Sequence, residues 1–229
     1  MKIVIIHGQN HKGSTYHIAR MLAEKIKGDI KEFFLPRDFG EFCVGCTKCF
    51  MESEKKCPHY EKLRPLTDAM DEADVIILAS PVYVYHVTGA MKTFLDHYGY
   101  RWMVHRPKES MFRKQGVCIS TAAGAGMKPT NKDMADSLFF WGLAKRYQYG
   151  VRVAAVNWNG VSEKKKCAID KATSGIAKKI VNNSKHMKPG IKTRAMFWAM
   201  HFAQRKGFNP CDAEYWKSKG WTGKKRPWK

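Results

Sequence analysis

Short apolar runs alternate with amphipathic segments along the first two thirds of the chain. Five such runs predict strands, at residues 2–7, 30–35, 75–78, 115–121 and 151–156. Apolar residues at helical spacing predict helices through residues 18–26, 63–72, 88–96, 131–145 and 162–181. A strand that is apolar on both faces is typical of the centre of a parallel sheet. We therefore predict an α/β fold in which helices cover both faces of a five-stranded parallel sheet.

The last fifth of the chain follows a different pattern. After Pro189 and Gly190, residues 194–203 predict a helix that is apolar nearly all round, and residues 212–221 are aromatic and basic. A helix with so little polar surface is expected to be buried, on its own domain or on a second subunit. We therefore divide the chain into a main domain over residues 1–184 and a helical extension over residues 185–229.

The composition is that of a globular protein. Of the 229 residues, 44% are hydrophobic and 12% aromatic, which is enough to bury a core. No apolar run approaches the roughly eighteen residues that span a bilayer. The apolar start, residues 1–8, is too short for a signal peptide and has no small-residue cleavage site. The sequence therefore predicts a cytoplasmic protein.

The net charge of +21 favours acidic partners, phosphorylated ligands or nucleic acid. Residues 185–229 carry twelve Lys or Arg against Asp212 and Glu214, so about half of the excess lies in the extension. A basic, aromatic tail is compatible with a membrane surface or a nucleic acid as well as with packing. Because no DNA- or RNA-binding signature accompanies it, packing is the favoured interpretation.

A polar loop, residues 8–15, joins the first strand to the first helix and has the layout of a phosphate site. N–H groups and hydroxyls at a helix start meet an anion with a favourable dipole. Ser14 and Thr15 are also good N-cap residues, which is the alternative. The loop is not a triphosphate P-loop, because Ser14 stands at the motif's Lys position, and it does not match G-x-G-x-x-G. A phosphate monoester fits it best.

The third strand ends in a loop that suits a flat heterocycle. Pro81 has no N–H, so the hydrogen bonds of the strand must stop there. The loop then presents the backbone donors of Val82, Tyr83 and Val84 at the edge where open α/β sheets bind ligands. An ordinary strand-to-helix connection is the alternative. The fourth strand runs into residues 121–126, whose small side chains let a ligand approach the backbone closely.

Four of the seven cysteines form a C-x2-C-x2-C-x7-C-P pattern, in an insertion over about residues 41–60. Three thiols at two-residue gaps, with a fourth nearby, are typical of a [4Fe–4S] ligand loop. Zinc is a second interpretation, although four-thiolate zinc sites usually use two separated pairs. Free thiols or a transient disulfide are a third. The candidate metal ligands are Cys43, Cys46, Cys49 and Cys57.

These motifs together resemble the NAD(P)H-dependent FMN reductase and iron–sulfur flavoprotein group of flavodoxin-like proteins. The resemblance rests on His7-Gly8 before a Ser14-Thr15 helix, on the cysteine pattern, and on Ser80-Pro81-Val82-Tyr83 with residues 92–96. The tail, residues 215–221, matches more loosely. The resemblance implies a three-layer flavodoxin-like sandwich with strand order 2-1-3-4-5. It also implies FMN at the carboxyl edge of the sheet, bound by the domain of residues 1–184.

The resemblance further implies roles for three loops. The FMN phosphate would lie on the first loop, the ribityl chain and one side of the ring on the loop after the third strand, and the other ring edge on the small-residue loop. The implied FMN-binding residues are Gln9, His11, Ser14, Thr15, Tyr16, Pro81, Val82, Tyr83, Val84, Tyr85, Thr121, Ala122, Ala123, Gly124 and Gly126.

The chain departs from the pattern of that group at four places. The group usually has Ser where Gln9 stands and Arg where His11 stands. It often has Arg where this chain has His97. An acidic pair is common after the fourth cysteine, where this chain has Pro58-His59-Tyr60.

We therefore expect an FMN-dependent oxidoreductase that passes electrons from NAD(P)H to a quinone, a small molecule or a protein, with a [4Fe–4S] cluster as an optional relay. Because the cofactor carries this chemistry, we nominate no catalytic acid or base. Two alternatives stay open: a flavodoxin-like electron carrier that docks an acidic partner, and a basic nucleic-acid- or membrane-associated protein without flavin. The apolar helix at 194–203, with Trp216 and Trp221, favours a homodimer or a tetramer.

Overall fold

The computed structural model describes residues 1–184 and 187–229 of the chain. Its centre is a sheet of five parallel strands in the order β2-β1-β3-β4-β5. The strands are β1 (Lys2–His7), β2 (Asp29–Phe34), β3 (Val75–Pro81), β4 (Gln115–Ala122) and β5 (Lys145–Arg152). The predicted parallel sheet and its strand order are confirmed.

Helices cover both faces of this sheet. The α-helices are α1 (Ser14–Ile26), α2 (Lys48–Met51), α3 (Tyr60–Glu72), α4 (Gly89–Asp96), α5 (Met127–Phe140), α6 (Glu163–Asn183), α7 (Ile191–Arg205) and α8 (Pro210–Ser218). Short 3₁₀ helices lie at Glu54–Lys56, Gly99–Arg101 and Glu109–Arg113. Helices α1 and α6 pack on one face, and α3, α4 and α5 pack on the other. The predicted three-layer sandwich is therefore confirmed.

Strand β1 shows how the pattern of apolar residues produces this arrangement. Val4 and Ile6 point into the core formed with α3, α4 and α5, whereas Ile3 and Ile5 point into the core formed with α1 and α6. All four side chains are buried. Because burying one such side chain contributes about 1.5–3 kcal/mol, a strand that is apolar on both faces is most stable at the centre of the sandwich.

The fifth strand and the helix before it end earlier than predicted. Helix α5 ends at Phe140 rather than at residue 145, and β5 covers Lys145–Arg152 rather than residues 151–156. Gly142 has a φ of +92°, and a Cβ there would lie 2.8 Å from the ring of Phe112, so the helix stops. Strand β5 is an edge strand with alternating partly buried and exposed side chains, which a search for apolar runs misses.

The C-terminal segment packs on its own chain. Phe197 of α7, Trp216 of α8 and Trp221 are buried in one aromatic cluster with Phe112. The ring centroids of Phe197 and Trp216 lie 4.8 Å apart, and those of Phe197 and Phe112 lie 5.5 Å apart. The predicted domain boundary lies between residues 184 and 185, and residues 185 and 186 lie outside the described residues. Of the helices in the described ranges, none is long and apolar enough to cross a membrane.

Candidate functional site

One pocket opens at the carboxyl edge of the sheet, where strands β1, β3, β4 and β5 end. In doubly wound sheets ligands bind at this edge, at the point where the strand order reverses. Ten of the fifteen predicted FMN-binding residues line the pocket, namely Gln9, His11, Ser14, Thr15, Tyr16, Pro81, Val82, Thr121, Ala122 and Ala123. The other five lie in the adjoining loops, at Tyr83, Val84, Tyr85, Gly124 and Gly126.

Helix α1 begins at this pocket without a side-chain cap. Its N-cap is Gly13, so Ser14 and Thr15 are the first helical residues, and the predicted alternative that they serve as caps is wrong. Thr15 Oγ1 lies 2.6 Å from Thr121 Oγ1, which ties the start of the helix to β4. Gly13, Ser14 and Thr15 line the pocket, so the positive end of the helix faces it. No side chain of the described residues caps this end, so its first N–H groups are left for a ligand.

Side-chain hydrogen bonds connect the loop after β1 to the loop after β3. Gln9 Nε2 donates to the Tyr83 hydroxyl at 2.6 Å, and the Tyr83 side chain is half-exposed beside the pocket. Thr88 Oγ1 donates to the Gly8 carbonyl at 2.6 Å, and the Thr88 N–H donates to Ser80 Oγ at 3.0 Å. These bonds hold the two loops in a fixed relation.

The loop after β3 uses its backbone donors differently from the prediction. The Val82 N–H donates to the Thr121 carbonyl at 2.9 Å, and the Tyr83 N–H donates to the His86 carbonyl at 2.9 Å. The prediction that these two donors are free for a ligand is therefore wrong. Val84 and Tyr85 are exposed with φ of 48° and 67°, and their N–H groups have no acceptor among the described residues. Left-handed backbone of this kind clusters at binding sites.

The small-residue loop after β4 packs directly on the loop after β3. Gly126 has a φ of +98°, and a Cβ there would lie 2.6 Å from Val82 Cγ1 and 3.2 Å from Tyr85 Cα. Glycine is required here because the backbone is left-handed and because a side chain would collide with the loop after β3. At Gly124 nothing lies within 4 Å of the Cβ position, so that glycine leaves open space beside the pocket.

His7 ends β1 and lines the pocket with a buried ring. Its Nε2 lies 2.9 Å from Glu32 Oε1, and its ring stacks on Phe34 with centroids 4.5 Å apart. Glu32 also accepts a hydrogen bond from Arg20 at 2.8 Å. Burial lowers the pKa of His7, although the hydrogen bond to Glu32 acts in the opposite direction. The imidazole is therefore a neutral wall of the pocket at neutral pH.

Six further residues that line the pocket are not among the predicted ones. They are His7, Gly13, Ala79, Val153, Ala155 and Val156. The last three follow β5, in a segment that the prediction assigned to the strand itself. Their position just after the carboxyl end of the last parallel strand could have indicated them. The prediction did not use it, because it began this strand about six residues too late.

The four cysteines of the pattern lie on one loop, around α2. Cys43 and Cys46 are exposed, whereas Cys49 and Cys57 are half-buried. Burial, followed by the proximity of the other three thiols, raises the pKa of Cys49 to about 11. Burial also raises the pKa of Cys57, against a hydrogen bond from the backbone of His59.

Cys57 faces two histidines. The ligand atoms of Cys57, His59 and His97 lie within 4.8 Å of one another, and no other such group occurs in the described residues. His59 Nδ1 is 3.0 Å from His97 Nε2, and His97 Nδ1 is 2.8 Å from the Thr93 carbonyl. Two positions at which this chain departs from the flavoprotein group that it resembles therefore meet at the fourth cysteine.

The C-terminal segment fastens the cysteine loop through Arg106. This side chain donates to the carbonyls of Cys49 and Phe50 and to Asp212 Oδ1, the last at 2.6 Å. The Asp212 side chain is 1% exposed, and its Oδ2 lies 2.7 Å from His105 Nδ1. The position of the loop therefore depends on a buried ion pair with α8.

Solved structures share this fold. They include a flavone reductase, with a TM-score of 0.60 and 17% identity, over 83% of this chain and 66% of the other. A second is an FMN-dependent NADH-azoreductase from Bacillus anthracis in complex with FMN, with a TM-score of 0.55 and 12% identity, over 77% of this chain and 100% of the other. At these identities the likeness establishes the fold alone.

Sequence relatives are more specific. An iron-sulfur flavoprotein from Archaeoglobus fulgidus is 39% identical over 88 residues, 37% of this chain and 36% of the relative. An NADPH azoreductase from Bacillus sp. is 30% identical over 130 residues, 55% of this chain and 61% of the relative. The chain spans about a quarter to a half of the iron-sulfur flavoproteins that it matches.

A family model matches the part of the chain that forms the sheet and the pocket. The model is that of the NADPH-dependent FMN reductases, and it matches residues 1–151 of the 229. The matched segment includes the four cysteines, the loops after β1, β3 and β4, and nearly all of β5. The chain therefore belongs to the NADPH-dependent FMN reductase family.

Proposed function

We propose that the protein is an FMN-dependent oxidoreductase that takes electrons from NAD(P)H and passes them to an acceptor. The observation that carries this proposal is the pocket at the carboxyl edge of the sheet, which gathers ten of the fifteen predicted FMN contacts. Membership of the family supports both the cofactor and the electron donor. A relative named NADPH azoreductase supports a small organic acceptor, such as a quinone or an azo compound.

The start of α1 suits the phosphate of FMN. The uncapped helix directs its positive end at the pocket, and the first helical residues add hydroxyl donors. A Cβ at Gly13 would lie 2.9 Å from His11 Nε2, so the imidazole lies directly over the loop. We assign the phosphate to Gln9, His11, Ser14, Thr15 and Tyr16.

The loops after β3 and β4 suit the flat end of the cofactor. Tyr83 stands beside the pocket, and in its loop the N–H groups of Val84 and Tyr85 have no acceptor among the described residues, which leaves them for a ring. The residues assigned to the ribityl chain and one side of the ring are Pro81, Val82, Tyr83, Val84 and Tyr85. Those assigned to the other edge are Thr121, Ala122, Ala123, Gly124 and Gly126.

FMN supplies hydride and single-electron chemistry when it is bound. The residues of this chain bind it, orient it and set the charge around it. The positive end of α1 favours the phosphate, and the neutral ring of His7 adds no charge to the pocket. We assign no catalytic acid or base, because none is needed for hydride transfer to a flavin.

A [4Fe–4S] cluster on Cys43, Cys46, Cys49 and Cys57 is the finer part of the expectation. The names of the relatives and the spacing of the first three thiols support it. The surroundings of the fourth thiol do not, because Cys57 faces two imidazoles rather than only the other thiols. The proposed transfer of electrons therefore does not pass through a cluster.

We propose a homodimer or a tetramer in the cytoplasm. Trp216 and Trp221 do not support assembly, because they are buried within the chain. Support comes from Trp198, Phe202 and Phe208, which are 40%, 57% and 96% exposed. Seven free thiols suit a reducing compartment. Light scattering at micromolar concentration should give at least twice the mass of one chain, and a monomer would contradict the proposal.

Two measurements test the function. The first is the visible absorption spectrum of the purified protein, and the second is turnover with NADH or NADPH and a quinone or azo dye. We expect two resolved flavin bands and steady oxidation of the nicotinamide. Flavin bands without nicotinamide oxidation would favour a carrier that docks an acidic partner through the net charge of +21. A colourless protein that takes up no FMN would refute the proposal, and salt-dependent retention on DNA or anionic vesicles would then test the remaining alternative.

A further inference from the structure

Cys57, His59 and His97 form a cluster outside the FMN pocket, and the proposed reduction of FMN does not use it. The three residues come from separate elements. Cys57 ends the cysteine loop, His59 is the N-cap of α3, and His97 is the C-cap of α4. Their ligand atoms lie within 4.8 Å of one another, so rotations of these side chains can bring all three within bonding distance of one ion.

The imidazole of His97 is already oriented as a ligand. Its Nδ1 lies 2.8 Å from the Thr93 carbonyl, which can only accept a hydrogen bond, so Nδ1 carries the proton. Nε2 therefore presents a lone pair towards His59. Histidines that bind metals almost always donate their other N–H to such a partner, which fixes the tautomer. The edge-on ring of Phe39, with its centroid 4.8 Å away, restrains the buried imidazole further.

A hydrogen bond between the two imidazoles explains only part of this arrangement. It accounts for the 3.0 Å contact, but it gives no reason for a thiol to meet both rings. The nearby carboxylate of Glu41 pairs with Lys62, so we do not count it among the ligands.

The dimensions suit a tetrahedral ion. Zinc bonds of about 2.0–2.1 Å to nitrogen and about 2.3 Å to sulfur place ligand atoms roughly 3.3–3.8 Å apart. The two nitrogen atoms are 3.0 Å apart and all three ligand atoms lie within 4.8 Å, so side-chain rotations must widen the first spacing slightly and bring Cys57 Sγ to the tetrahedral distance. One thiolate with two imidazoles suits zinc among the common divalent ions, and three protein ligands leave the fourth position to water.

We propose that Cys57 Sγ, His59 Nδ1 and His97 Nε2 bind one divalent ion of the zinc class. The ion fastens the end of the cysteine loop to the end of α4. On binding, the Cys57 thiol gives its proton to solvent and His59 moves its proton from Nδ1 to Nε2, whereas His97 needs no change. Each ion bound therefore releases one proton and changes no oxidation state.

This assignment removes Cys57 from a four-thiolate cluster, because one sulfur atom does not serve both sites. Cys43, Cys46 and Cys49 keep their own loop, with the first two exposed. The two imidazole ligands are residues at which this chain departs from the flavoprotein group that it resembles. We therefore expect zinc at a position where the names of the relatives refer to iron and sulfur.

Metal analysis of the full-length protein tests the site. We expect about one zinc per chain after purification from cells supplied with both zinc and iron. Cobalt added to the metal-free protein should give the strong visible bands of a tetrahedral site and a thiolate-to-cobalt charge-transfer band. His59→Ala and His97→Ala should each lower the cobalt affinity by more than about 100-fold, because loss of even an outer partner costs about 10–100-fold.

Two variants serve as controls. Cys43→Ala removes a thiol from the iron–sulfur set but not from the zinc set, and His86→Ala removes an exposed imidazole. Both should keep the cobalt affinity of the unmodified protein. Circular dichroism establishes folding of each variant without reference to FMN, so the metal site and the flavin site are judged separately. Four iron and four sulfide per chain, or unchanged cobalt affinity in both histidine variants, would overturn the proposal.

Discussion

Gly126 and Gly124 lie two residues apart in one loop, but a Cβ would meet close neighbours at Gly126 and open space at Gly124. Gly126→Ala should lower the free energy of unfolding by about 1–3 kcal/mol, because alanine is strained at a φ of +98° and its Cβ would lie 2.6 Å from Val82 Cγ1. Gly124→Ala should change it by less than about 0.5 kcal/mol, because nothing lies within 4 Å. Urea unfolding without FMN measures both, and equal losses would contradict the packing of the two loops.

His7 predicts a pH dependence of stability. Burial lowers its pKa in the folded protein, so below about pH 6.5 the unfolded chain binds more protons at this residue than the folded one. Protonation of His7 therefore does not reduce the free energy of unfolding above about pH 6.5, and it reduces this free energy progressively as the pH drops towards the lowered pKa. His17 acts in the same direction, since burial lowers its pKa as well.

The variant His7→Gln should remove part of this dependence. Urea unfolding at about pH 7.5 and about pH 5.5 measures the loss of stability in each protein. We expect a smaller loss in His7→Gln than in the unmodified protein, because glutamine does not titrate. The same loss in both proteins would show that His7 does not contribute.

At the scale of elements, the start of α1 separates phosphate binding from ring binding. Ser14→Ala should weaken FMN binding by roughly 10- to 100-fold, because a hydrogen bond to a charged group contributes about 1.5–3 kcal/mol. Riboflavin lacks the phosphate and is the matched control ligand, so its affinity should stay unchanged. Titration by quenching of flavin fluorescence measures both. An equal loss for riboflavin would place Ser14 near the ring instead.

The elements that sequence patterns predict best are those buried on both faces. Strand β1 was predicted with its observed bounds, Lys2–His7, because its four central side chains, residues 3–6, each face one of two cores. Strand β5 was misplaced, because an edge strand in which every second residue is exposed has no apolar run. The end of α5 at Gly142, where φ is +92°, involves the ring of Phe112, which lies thirty residues earlier in the chain.

The candidate site was predictable to the extent that it follows strand ends. The ends of β3 and β4 and the segments that follow β1, β3 and β4 supplied ten lining residues, because parallel strands bring their carboxyl ends to one edge. The hydrogen bonds that occupy the N–H groups of Val82 and Tyr83 depend on partners that a local pattern does not specify. The contact of His59 with His97 joins residues 38 positions apart, and nothing in their spacing indicates it.

At the scale of the whole molecule, Asp212 connects the last helix to the cysteine loop. Asp212→Asn should lower the free energy of unfolding by about 3–5 kcal/mol, because it leaves the buried guanidinium of Arg106 without its counter-charge. Asp96→Asn is the control, since the pair with Lys92 is an exposed contact within one helix and should change stability by less than about 0.5 kcal/mol. Urea unfolding measures both, and a loss below about 1 kcal/mol for Asp212→Asn would contradict this account.

The pair of Arg106 and Asp212 also has a consequence in time. Asp212 leaves the ribosome 106 residues after Arg106, which is roughly 5–20 seconds at usual rates of translation. All five strands and the cysteine loop are synthesised before the acid that fastens the loop. In a newly made chain, the cysteine loop is therefore not fastened through Asp212 until this interval has passed.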